Sequence, residues 1–347
     1  MIRVSIIGAT GYTGIELVRL LANHPEVELS SLVSRNASNK PLSDIYPQFI
    51  GRIDLKFSEY DCQAICQNSD IVFTALPHGI SQEIVGELYN CGVKIIDLSG
   101  DFRYKDSAIY EKWYRENHHY PHLLEKAVYG LVEINRNSIK RSSLVANPGC
   151  YPTASLLGLW PVISENLINL NTIIIDAKSG VSGAGKGLKR GSHFVEVDEN
   201  IKGYSIGSHR HTSEIEEIIK TFSGNQKAIV SFTPHLVPMK RGILATIYVK
   251  LKQSISERAL RELYHKYYPD HGFIKVLPRD IFPETKYVVG TNYCYIGLKY
   301  DTRTERLVII SAIDNLVKGA AGQAIQNMNV MFNLPEYMGL KQVGVFP

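Results

Sequence analysis

One cysteine of this sequence lies in a motif where its thiol could act as a nucleophile. Cys150 lies in the segment Asn-Pro-Gly-Cys-Tyr-Pro-Thr, residues 147–153, which follows an apolar, strand-like run. The Pro-Gly pair favours a sharp turn, and the residues from Thr153 onward have the pattern of a helix start. A thiol at a helix N-terminus has a lowered pKa and can act as a nucleophile in covalent catalysis. The competing interpretation is a small buried hydrophobic residue, which is a common role for a single cysteine.

Two histidines offer the acid–base group that such a nucleophile needs. His209 and His211 precede Thr212, the candidate N-cap of a predicted helix. A histidine beside Cys150 could hold the thiolate and later protonate a developing alkoxide. We favour His211 as the acid–base because it adjoins the helix start, and we expect His209 to bind or orient substrate. A structural role is the alternative for each.

The N-terminal segment predicts a dinucleotide-binding turn. A strand-like run leads into Gly8-Ala9-Thr10-Gly11-Tyr12-Thr13-Gly14, and apolar residues at helical spacing follow. In this context glycine lets the backbone approach a pyrophosphate, whose charge the helix N-terminus favours. The spacing is GxxGxxG rather than GxGxxG, and a βα turn without a ligand is the alternative.

The end of the second strand-like run bears on the choice of cofactor. Ser34 and Arg35 stand where an NAD enzyme usually has an acidic residue for the ribose 2′-hydroxyl. A guanidinium can bind a phosphate through two hydrogen bonds, which suits the 2′-phosphate of NADP. The sequence therefore predicts NADP as cofactor, with a solvated surface arginine as the alternative.

The order of the predicted elements indicates two domains. Strand-like and helical patterns alternate as far as residue 149, which predicts an α/β fold with a Rossmann-type parallel sheet. Beyond Cys150, strands are predicted at 172–177, 228–234, 243–252 and 307–313, and a helix at 255–268. This second part is therefore expected to be an α+β domain. A last helix is predicted from about Asp314 to Phe332.

The composition narrows the class of protein. Hydrophobic residues make up 44% of the chain and charged residues 21%, as in a globular protein. No apolar run approaches the roughly 18 residues of a membrane span, and Met1 leads directly into a strand-like run with no room for a signal peptide. A cytoplasmic location without membrane attachment is expected. The net charge of +4, without a basic run, argues against a nucleic-acid partner.

The remaining cysteines are expected to be structural. An odd count of five in a long chain without a signal peptide argues against a disulfide framework. Cys62 and Cys66 lie one helical turn apart, but no second Cys or His pair completes the spacing of a zinc site. No metal site is predicted.

Several segments, in order along the chain, resemble blocks of the N-acetyl-γ-glutamyl-phosphate reductase family. Besides residues 8–14 and 147–153, they are residues 76–79, 97–103, 129–133, 179–186, 209–215 and 314–324. The resemblance covers nearly the whole chain. It departs from the family at Val132 and Ser213, where the family usually has proline, and neither departure removes a reactive group.

The resemblance implies an activity and an architecture. The activity is the reversible, NADPH-dependent reduction of N-acetylglutamyl 5-phosphate to N-acetylglutamate 5-semialdehyde with release of phosphate, through a thioester on Cys150. The implied fold is related to aspartate-semialdehyde dehydrogenase. In it, residues 1–149 and a C-terminal helix of about 314–347 form the NADP-binding domain, and residues 150–313 form the catalytic and dimerisation domain. A homo-oligomer, dimer or tetramer, is expected.

The matched blocks also imply residue roles. Further cofactor contacts are expected from Pro77, Ser182, Gly183 and Asn315. Substrate contacts are expected from Ser99, Arg103, Asn147 and Lys186. Arg103 is expected to bind the acyl phosphate, with an interdomain salt bridge as the alternative, and Lys186 could instead belong to a solvated basic loop.

Other functions remain open at this point. A sister reductase could act on aspartyl phosphate or on carrier-bound aminoadipyl phosphate. A non-catalytic NADP-binding regulator would be expected to lose the nucleophile, and Cys150 is present. A zinc-dependent hydrolase would need ligands at a spacing that the sequence does not offer.

Overall fold

The computed structural model describes residues 1–268 and 272–344, and the chain forms two compact units. Unit 1 comprises Met1–Pro148 and Ala320–Lys341. Unit 2 comprises Gly149–Gly319 and the described residues from Gln342 onward.

Unit 1 contains a seven-stranded sheet in which every pairing is parallel. Its strands are β1 (Ile2–Ile7), β2 (Val27–Val33), β3 (Phe57–Ser58), β4 (Ile71–Thr74), β5 (Lys94–Asp97), β6 (Val128–Tyr129) and β7 (Leu144–Ala146). The strand order is β3-β2-β1-β4-β5-β7-β6. Parallel strands covered on both faces are apolar throughout, and every residue of β4 and β7 is buried.

Helices connect these strands. They are α1 (Tyr12–Leu21), α2 (Leu42–Ile45), α3 (Cys62–Asn68), α4 (Ile80–Asn90), α5 (Ser107–Tyr114), α6 (Pro121–Lys126) and α7 (Val132–Arg141). Asp61 and Asp106 cap α3 and α5 by accepting backbone N–H groups of the first turn. By contrast, α1 begins after Gly11, which has no side chain to cap its first turn.

Unit 2 contains a mixed seven-stranded sheet. Its strands are β8 (Ile174–Gly180), β9 (Lys202–Gly203), β10 (Ser231–Val237), β11 (Ile243–Lys250), β12 (Ile274–Val276), β13 (Cys294–Asp301) and β14 (Arg306–Ile313). The strand order is β12-β13-β14-β11-β8-β10-β9, with β8–β10 and β12–β13 parallel and the other pairs antiparallel. Burial alternates along β11, as expected for a sheet with one face on the core.

In the part of unit 2 that the structure describes, the α-helices are α8 (Cys150–Ser164), α9 (Phe194–Val197), α10 (His211–Phe222) and α11 (Glu257–Tyr267). The central helix is α8, which packs on β11 and β14 and against α10. Most of its residues are buried, so its sequence is apolar on every side.

The last helix, α12 (Gly322–Met331), belongs to unit 1, where it packs on α7 and α1. The predicted end of this helix near Phe332 is correct, but the predicted start near Asp314 is too early. The extension to about residue 347 is wrong, because no helix follows Asn333 in the described residues up to 344. The side chain of Asp314 accepts the N–H groups of Leu316 and Val317, and a π-helical turn, Val317–Ala321, follows. Asn333, with φ of 58°, ends the helix in the left-handed conformation typical of helix C-termini.

The predicted fold class is confirmed: a Rossmann-type parallel sheet is joined to an α+β unit. The predicted helix at 255–268 and the four predicted strands of unit 2 are present with shifts of a few residues at their ends. Within residues 1–268 and 272–344, no helix is both long enough and apolar enough to cross a membrane.

Candidate active site

The turn that carries Cys150 is fixed from both sides. Cys150 is the first residue of α8, and Gly149 before it has an extended backbone. The N–H of Gly149 donates to Oε1 of Glu214, a fully buried residue of α10, at 2.8 Å. The hydroxyl of Thr153 donates back to the carbonyl of Gly149 at 2.9 Å. The thiol therefore stands at the positive end of a 15-residue helix and remains partly exposed.

The space beside Cys150 depends on a glycine whose role the sequence did not indicate. A Cβ atom built on Gly319 would lie 2.7 Å from the Cβ of Cys150 and 3.2 Å from its Cα. Any side chain at position 319 would therefore push the nucleophile from its place. Gly319 lies within a family-like block, but only the fold reveals this contact.

Both predicted histidines lie next to the residue that follows the nucleophile. The rings of His209 and His211 have centroids 4.8 Å apart. The ring of Tyr151 lies edge-on to both, at 5.7 Å from His209 and 5.8 Å from His211. The packing of α10 on α8 thus places the histidines and the Cys150 turn in one cluster within unit 2.

The two histidines differ in their electrostatics. Burial, with a smaller contribution from the charge of Arg210, lowers the pKa of His209 to about 4. The N–H of His211 donates to Nδ1 of His209 at 3.1 Å, so the ring proton of neutral His209 is on Nε2. At neutral pH His209 is therefore an uncharged hydrogen-bond donor.

The prediction that Thr212 is the N-cap of α10 is wrong. The helix begins at His211, and Arg210, with a helical backbone of φ −57° and ψ −32°, is the capping residue. The chain is already helical before Thr212 is reached, so its hydroxyl cannot take the N-cap position. Glu214 instead directs its carboxylate to the Cys150 turn.

A pair of tyrosines completes the cluster. The hydroxyl of Tyr204 donates to that of Tyr151 at 3.0 Å, and the latter donates to the carbonyl of His235 at 3.3 Å. Burial raises the pKa of Tyr204 to about 12, so it stays neutral and can donate. Tyr151 belongs to the cysteine motif, whereas nothing in the sequence marked Tyr204.

A separate cavity of about 570 Å³ lies in unit 1 at the carboxyl ends of its central strands. Six of the predicted cofactor residues line it: Gly8, Thr10, Gly11, Ser34, Arg35 and Pro77. Glu59, Tyr60, Ile80 and Ile84 also line it, and none of them was predicted. This edge of a parallel sheet is where nucleotides bind in doubly wound folds.

The three glycines of the turn differ in whether the fold requires glycine at their positions. Gly8 has φ of 86°, and a Cβ there would lie 2.4 Å from the carbonyl oxygen of Ala75. A Cβ on Gly14 would lie 2.3 Å from the carbonyl oxygen of Gly8, so this glycine permits close packing of α1 on β1. Gly11 has an ordinary backbone, and the nearest atom to its Cβ would be 3.5 Å away. The fold does not require glycine at 11, and its absent side chain leaves the turn open to a phosphate.

The remaining residues of the loop region are placed as follows. The hydroxyls of Thr10 and Ser34 share a hydrogen bond of 2.9 Å, which joins the turn to the end of β2. The side chain of Arg35 is exposed at the cavity. Tyr12 and Thr13 lie in the first turn of α1 and do not line the cavity.

Three predicted cofactor residues come together in unit 2. The amide of Asn315 donates to the hydroxyl of Ser182 at 2.9 Å and accepts the N–H of Gly242 at 2.8 Å. A Cβ on Gly183 would lie 3.0 Å from the hydroxyl of Ser179. Asn315 therefore holds the loop that follows β8.

Three of the four predicted substrate residues, Ser99, Arg103 and Asn147, form hydrogen bonds within the protein. Ser99 donates to Asp97 at 2.6 Å, and Arg103 donates to the carbonyls of Asn147 and Leu98 at 2.9 and 3.1 Å. The Asn147 side chain donates to the carbonyl of Ala320 and accepts from Asn327, so it ties the C-terminal segment of unit 1 in place. Lys186 is exposed on the loop after β8.

Comparison with known proteins identifies the family. The profile described as "Semialdehyde dehydrogenase, NAD binding domain" matches residues 3–142, and "Semialdehyde dehydrogenase, dimerisation domain" matches residues 150–315. N-acetyl-γ-glutamyl-phosphate reductase from Caldicellulosiruptor bescii is 53% identical over 346 residues, covering 100% of both chains. The enzyme of that name from Pelotomaculum thermopropionicum is 51% identical, covering 100% of this chain and 99% of its own. The chain belongs to the N-acetyl-γ-glutamyl-phosphate reductase family.

The fold of this chain is also similar to solved structures of proteins with much lower sequence identity. Aspartate semialdehyde dehydrogenase II from Vibrio cholerae has a TM-score of 0.75 at 16% identity, over 96% of this chain and 98% of that one. The Candida albicans enzyme, solved with NADP, has a TM-score of 0.68 at 16% identity over 96% of this chain and 98% of that chain. At these identities the likeness concerns the fold, which agrees with the predicted fold.

Proposed function

We propose that this chain catalyses the reversible, NADPH-dependent reduction of N-acetyl-L-glutamyl 5-phosphate to N-acetyl-L-glutamate 5-semialdehyde and phosphate. Two relatives that are 51% and 53% identical to this chain over its full length are named N-acetyl-γ-glutamyl-phosphate reductase. The observation that carries the mechanism is that Tyr151, the residue after the thiol at the start of α8, packs against the rings of both His209 and His211 in unit 2.

The proposed first step is acyl transfer to Cys150. The sulfur of the thiolate attacks the acyl carbon, a C–S bond forms, the C–O bond to phosphate breaks, and phosphate leaves with the electron pair. The helix N-terminus favours the thiolate that this attack requires. The thioester divides the reaction into an acyl transfer and a separate hydride transfer, each easier than the combined step, which is the advantage of covalent catalysis.

The second step releases the aldehyde. NADPH, when bound, supplies the hydride to the thioester carbon. The C–S bond then breaks, the aldehyde forms, and Cys150 returns as thiolate. We propose that His211 holds the thiolate, protonates the alkoxide that hydride addition creates, and takes that proton back as the C–S bond breaks. His209 is proposed to donate a hydrogen bond from Nε2 to the substrate. The lowered pKa of His209 supports this division, because a group with a pKa of about 4 is a poor proton donor–acceptor at neutral pH.

The cavity of unit 1 suits NADP. Gly8, Thr10 and Gly11 would hold the pyrophosphate, and Ser34 and Arg35 the 2′-phosphate, because the end of β2 carries a hydroxyl and a guanidinium. Tyr12, Thr13 and Gly14 would contribute backbone groups of the α1 N-terminus. Pro77, and Ser182, Gly183 and Asn315 of unit 2, are proposed as further cofactor contacts.

For the substrate, we propose Arg103 and Ser99 as the acyl-phosphate site and Lys186 as a contact to a substrate carboxylate. Arg103 has a buried guanidinium positioned by two backbone carbonyls, which supports a fixed anion-binding geometry. Asn147 is proposed to act through the position it gives to the chain before Cys150.

We also propose that the protein works in the cytoplasm as a homo-oligomer, dimer or tetramer. The second family profile is described as a dimerisation domain, which supports self-association through unit 2. Light scattering coupled to gel filtration should give a mass of about two or four chains, and a monomer would contradict this part of the proposal.

The activity is tested in the direction of NADP reduction. The purified protein receives N-acetylglutamate 5-semialdehyde, NADP and phosphate, and formation of NADPH is followed by absorbance. We expect a phosphate-dependent rate that is absent in Cys150→Ala and present in Cys294→Ala, which alters a buried thiol of β13. Aspartate semialdehyde and a carrier-bound aminoadipate semialdehyde serve as competing substrates. A higher kcat/KM for either one would overturn the proposed specificity.

A further inference from the structure

Three free thiols meet in unit 1, although the sequence brings together only two of them. Cys62 is the first residue of α3, Cys66 lies one turn later, and Cys91 follows the last residue of α4. The sulfurs of Cys62 and Cys91 are 3.7 Å apart, and all three sulfurs lie within 4.8 Å of one another.

We propose that Cys62, Cys66 and Cys91 form a binding site for a soft, closed-shell divalent cation, with Zn²⁺ as the biological ion and Cd²⁺ as a suitable probe. In a tetrahedral thiolate site with a zinc–sulfur distance of about 2.3 Å, neighbouring sulfurs lie about 3.8 Å apart. The separation of Cys62 and Cys91 already has this value, whereas a disulfide would need about 2.05 Å. The Cys66 sulfur lies within 4.8 Å of the other two, so it would complete the set with a shift of at most about 1 Å, which a side-chain rotation can supply.

The surroundings are those of a site that an ion can enter. Cys91 is exposed and the other two thiols are partly exposed, so a cation has a path from solvent and a fourth position remains for water. The thiolate, and not the thiol, is the form of cysteine that binds a metal ion. A divalent cation that binds the three sulfurs therefore displaces the thiol protons.

The cluster joins elements that also shape the nucleotide cavity. Glu59 and Tyr60, just before Cys62, line that cavity, as do Ile80 and Ile84 of α4. The hydroxyl of Tyr60 donates to Glu87 of α4 at 2.8 Å, which provides a second link between the same two segments. An ion held by the three thiolates would connect the start of α3 to the end of α4. Residues of these same two segments, Tyr60 and Ile84 among them, line the cavity.

The test is titration of reduced, metal-free protein with Cd²⁺, followed by the ultraviolet charge-transfer absorption of cadmium–thiolate bonds. Cys150→Ala is the parent protein, because Cys150 is another accessible thiol. We expect one equivalent of Cd²⁺ to bind and about three protons to be released, as a pH indicator would report. Replacing Cys62, Cys66 or Cys91 by Ser in this parent should each weaken binding by at least about tenfold. The matched control, Cys294→Ala, should bind like the parent.

A second measurement does not depend on the folding of variants. The parent protein is alkylated with and without Cd²⁺, and the modified peptides are measured by mass spectrometry. Protection of Cys62, Cys66 and Cys91 together by one equivalent of Cd²⁺ is expected. Unchanged alkylation of these three residues, or charge-transfer absorption that survives their replacement, would overturn the proposal.

Discussion

Two substitutions in the glycine turn at the start of α1, Gly11→Ala and Gly14→Ala, should distinguish an effect on cofactor binding from an effect on folding. Gly11→Ala should leave the fold intact, because the backbone at Gly11 has φ of −72° and a Cβ there would approach no atom closer than 3.5 Å. Replacing glycine where the new residue fits stabilises a protein by about 0.4–1 kcal/mol through the unfolded chain. Gly11 is also the N-cap of α1, a position that favours glycine over alanine, and this preference opposes the gain. We therefore expect the melting temperature of Gly11→Ala to stay close to that of the wild type.

The same substitution should weaken the cofactor complex. The methyl group would stand where the turn must approach the pyrophosphate, and a displaced phosphate loses at least one charge-assisted hydrogen bond. Such a bond contributes about 1.5–3 kcal/mol, and 1.4 kcal/mol corresponds to a tenfold change in Kd. The Kd for NADPH should therefore rise by about 10- to 100-fold.

Gly14→Ala provides the matched comparison three residues away. Its Cβ would lie 2.3 Å from the carbonyl oxygen of Gly8 and 2.7 Å from the Cα of Ala9, both of which are backbone atoms. Forcing an extra carbon into such a contact costs about 1–3 kcal/mol. This variant should lose thermal stability as well as NADPH affinity.

The assay pairs NADPH titration by fluorescence with thermal unfolding followed by circular dichroism. Unaltered NADPH affinity in a folded Gly11→Ala protein would refute the assignment of this turn to the pyrophosphate. A large loss of stability in Gly11→Ala would instead show that position 11 cannot accommodate a Cβ atom.

Three further predictions concern the charged and titrating groups. Arg35→Ala should weaken NADPH binding far more than NADH binding in parallel titrations, and equal losses would show that Arg35 does not touch the 2′-phosphate. His211→Asn should lower kcat by about 10²-fold or more, whereas His209→Asn should mainly raise the substrate KM. The reverse result would show that His209 is the acid–base and that His211 binds the substrate. The His209 ring should titrate near pH 4 rather than 6.5 by histidine NMR. The unfolded chain binds a proton at His209 more readily than the folded protein does. The free energy of unfolding of the wild type, relative to that of His209→Asn, should therefore fall as the pH is lowered from about 6.5 to 4. A difference that stays constant over this pH range would contradict the prediction.

The sequence predicts well those features that are local in the chain. The strand, glycine turn and helix at residues 2–21 are contiguous, so hydrophobic periodicity and glycine placement are sufficient to predict these elements and the turn that lines the cavity of unit 1. The turn at Cys150 is equally local, because Pro148 and Gly149 precede the thiol and the helix begins at once. The histidines could be proposed from the chemistry that a thiolate requires.

What the sequence could not predict depends on contacts between distant elements. Cys91 joins Cys62 and Cys66 only because α4 packs beside α3, and Gly319 meets Cys150 only through the fold of unit 2. Glu214 looked like an ordinary acidic residue near a helix start, yet its carboxylate accepts the Gly149 N–H.

Strand β13 and the start of α12 are two examples of secondary structure that the sequence did not predict correctly, each for a local reason. Strand β13 contains Gly297 together with charged Lys299 and Asp301, which interrupts the pattern that identifies a strand. The start of α12 was placed too early because the side chain of Asp314 forms a turn of its own before the helix.

The central claim is that Cys150 carries the acyl group, and mass spectrometry of the acylated protein tests it most directly. The wild type is mixed with the acyl phosphate without NADPH, quenched in acid, digested and analysed. We predict the mass of the acyl group on the peptide containing Cys150, and no label on the peptides containing Cys62, Cys66, Cys91 or Cys294. Cys150→Ala should show no label and no turnover while retaining NADPH binding. Near-normal turnover by a folded Cys150→Ala protein would contradict the thioester mechanism.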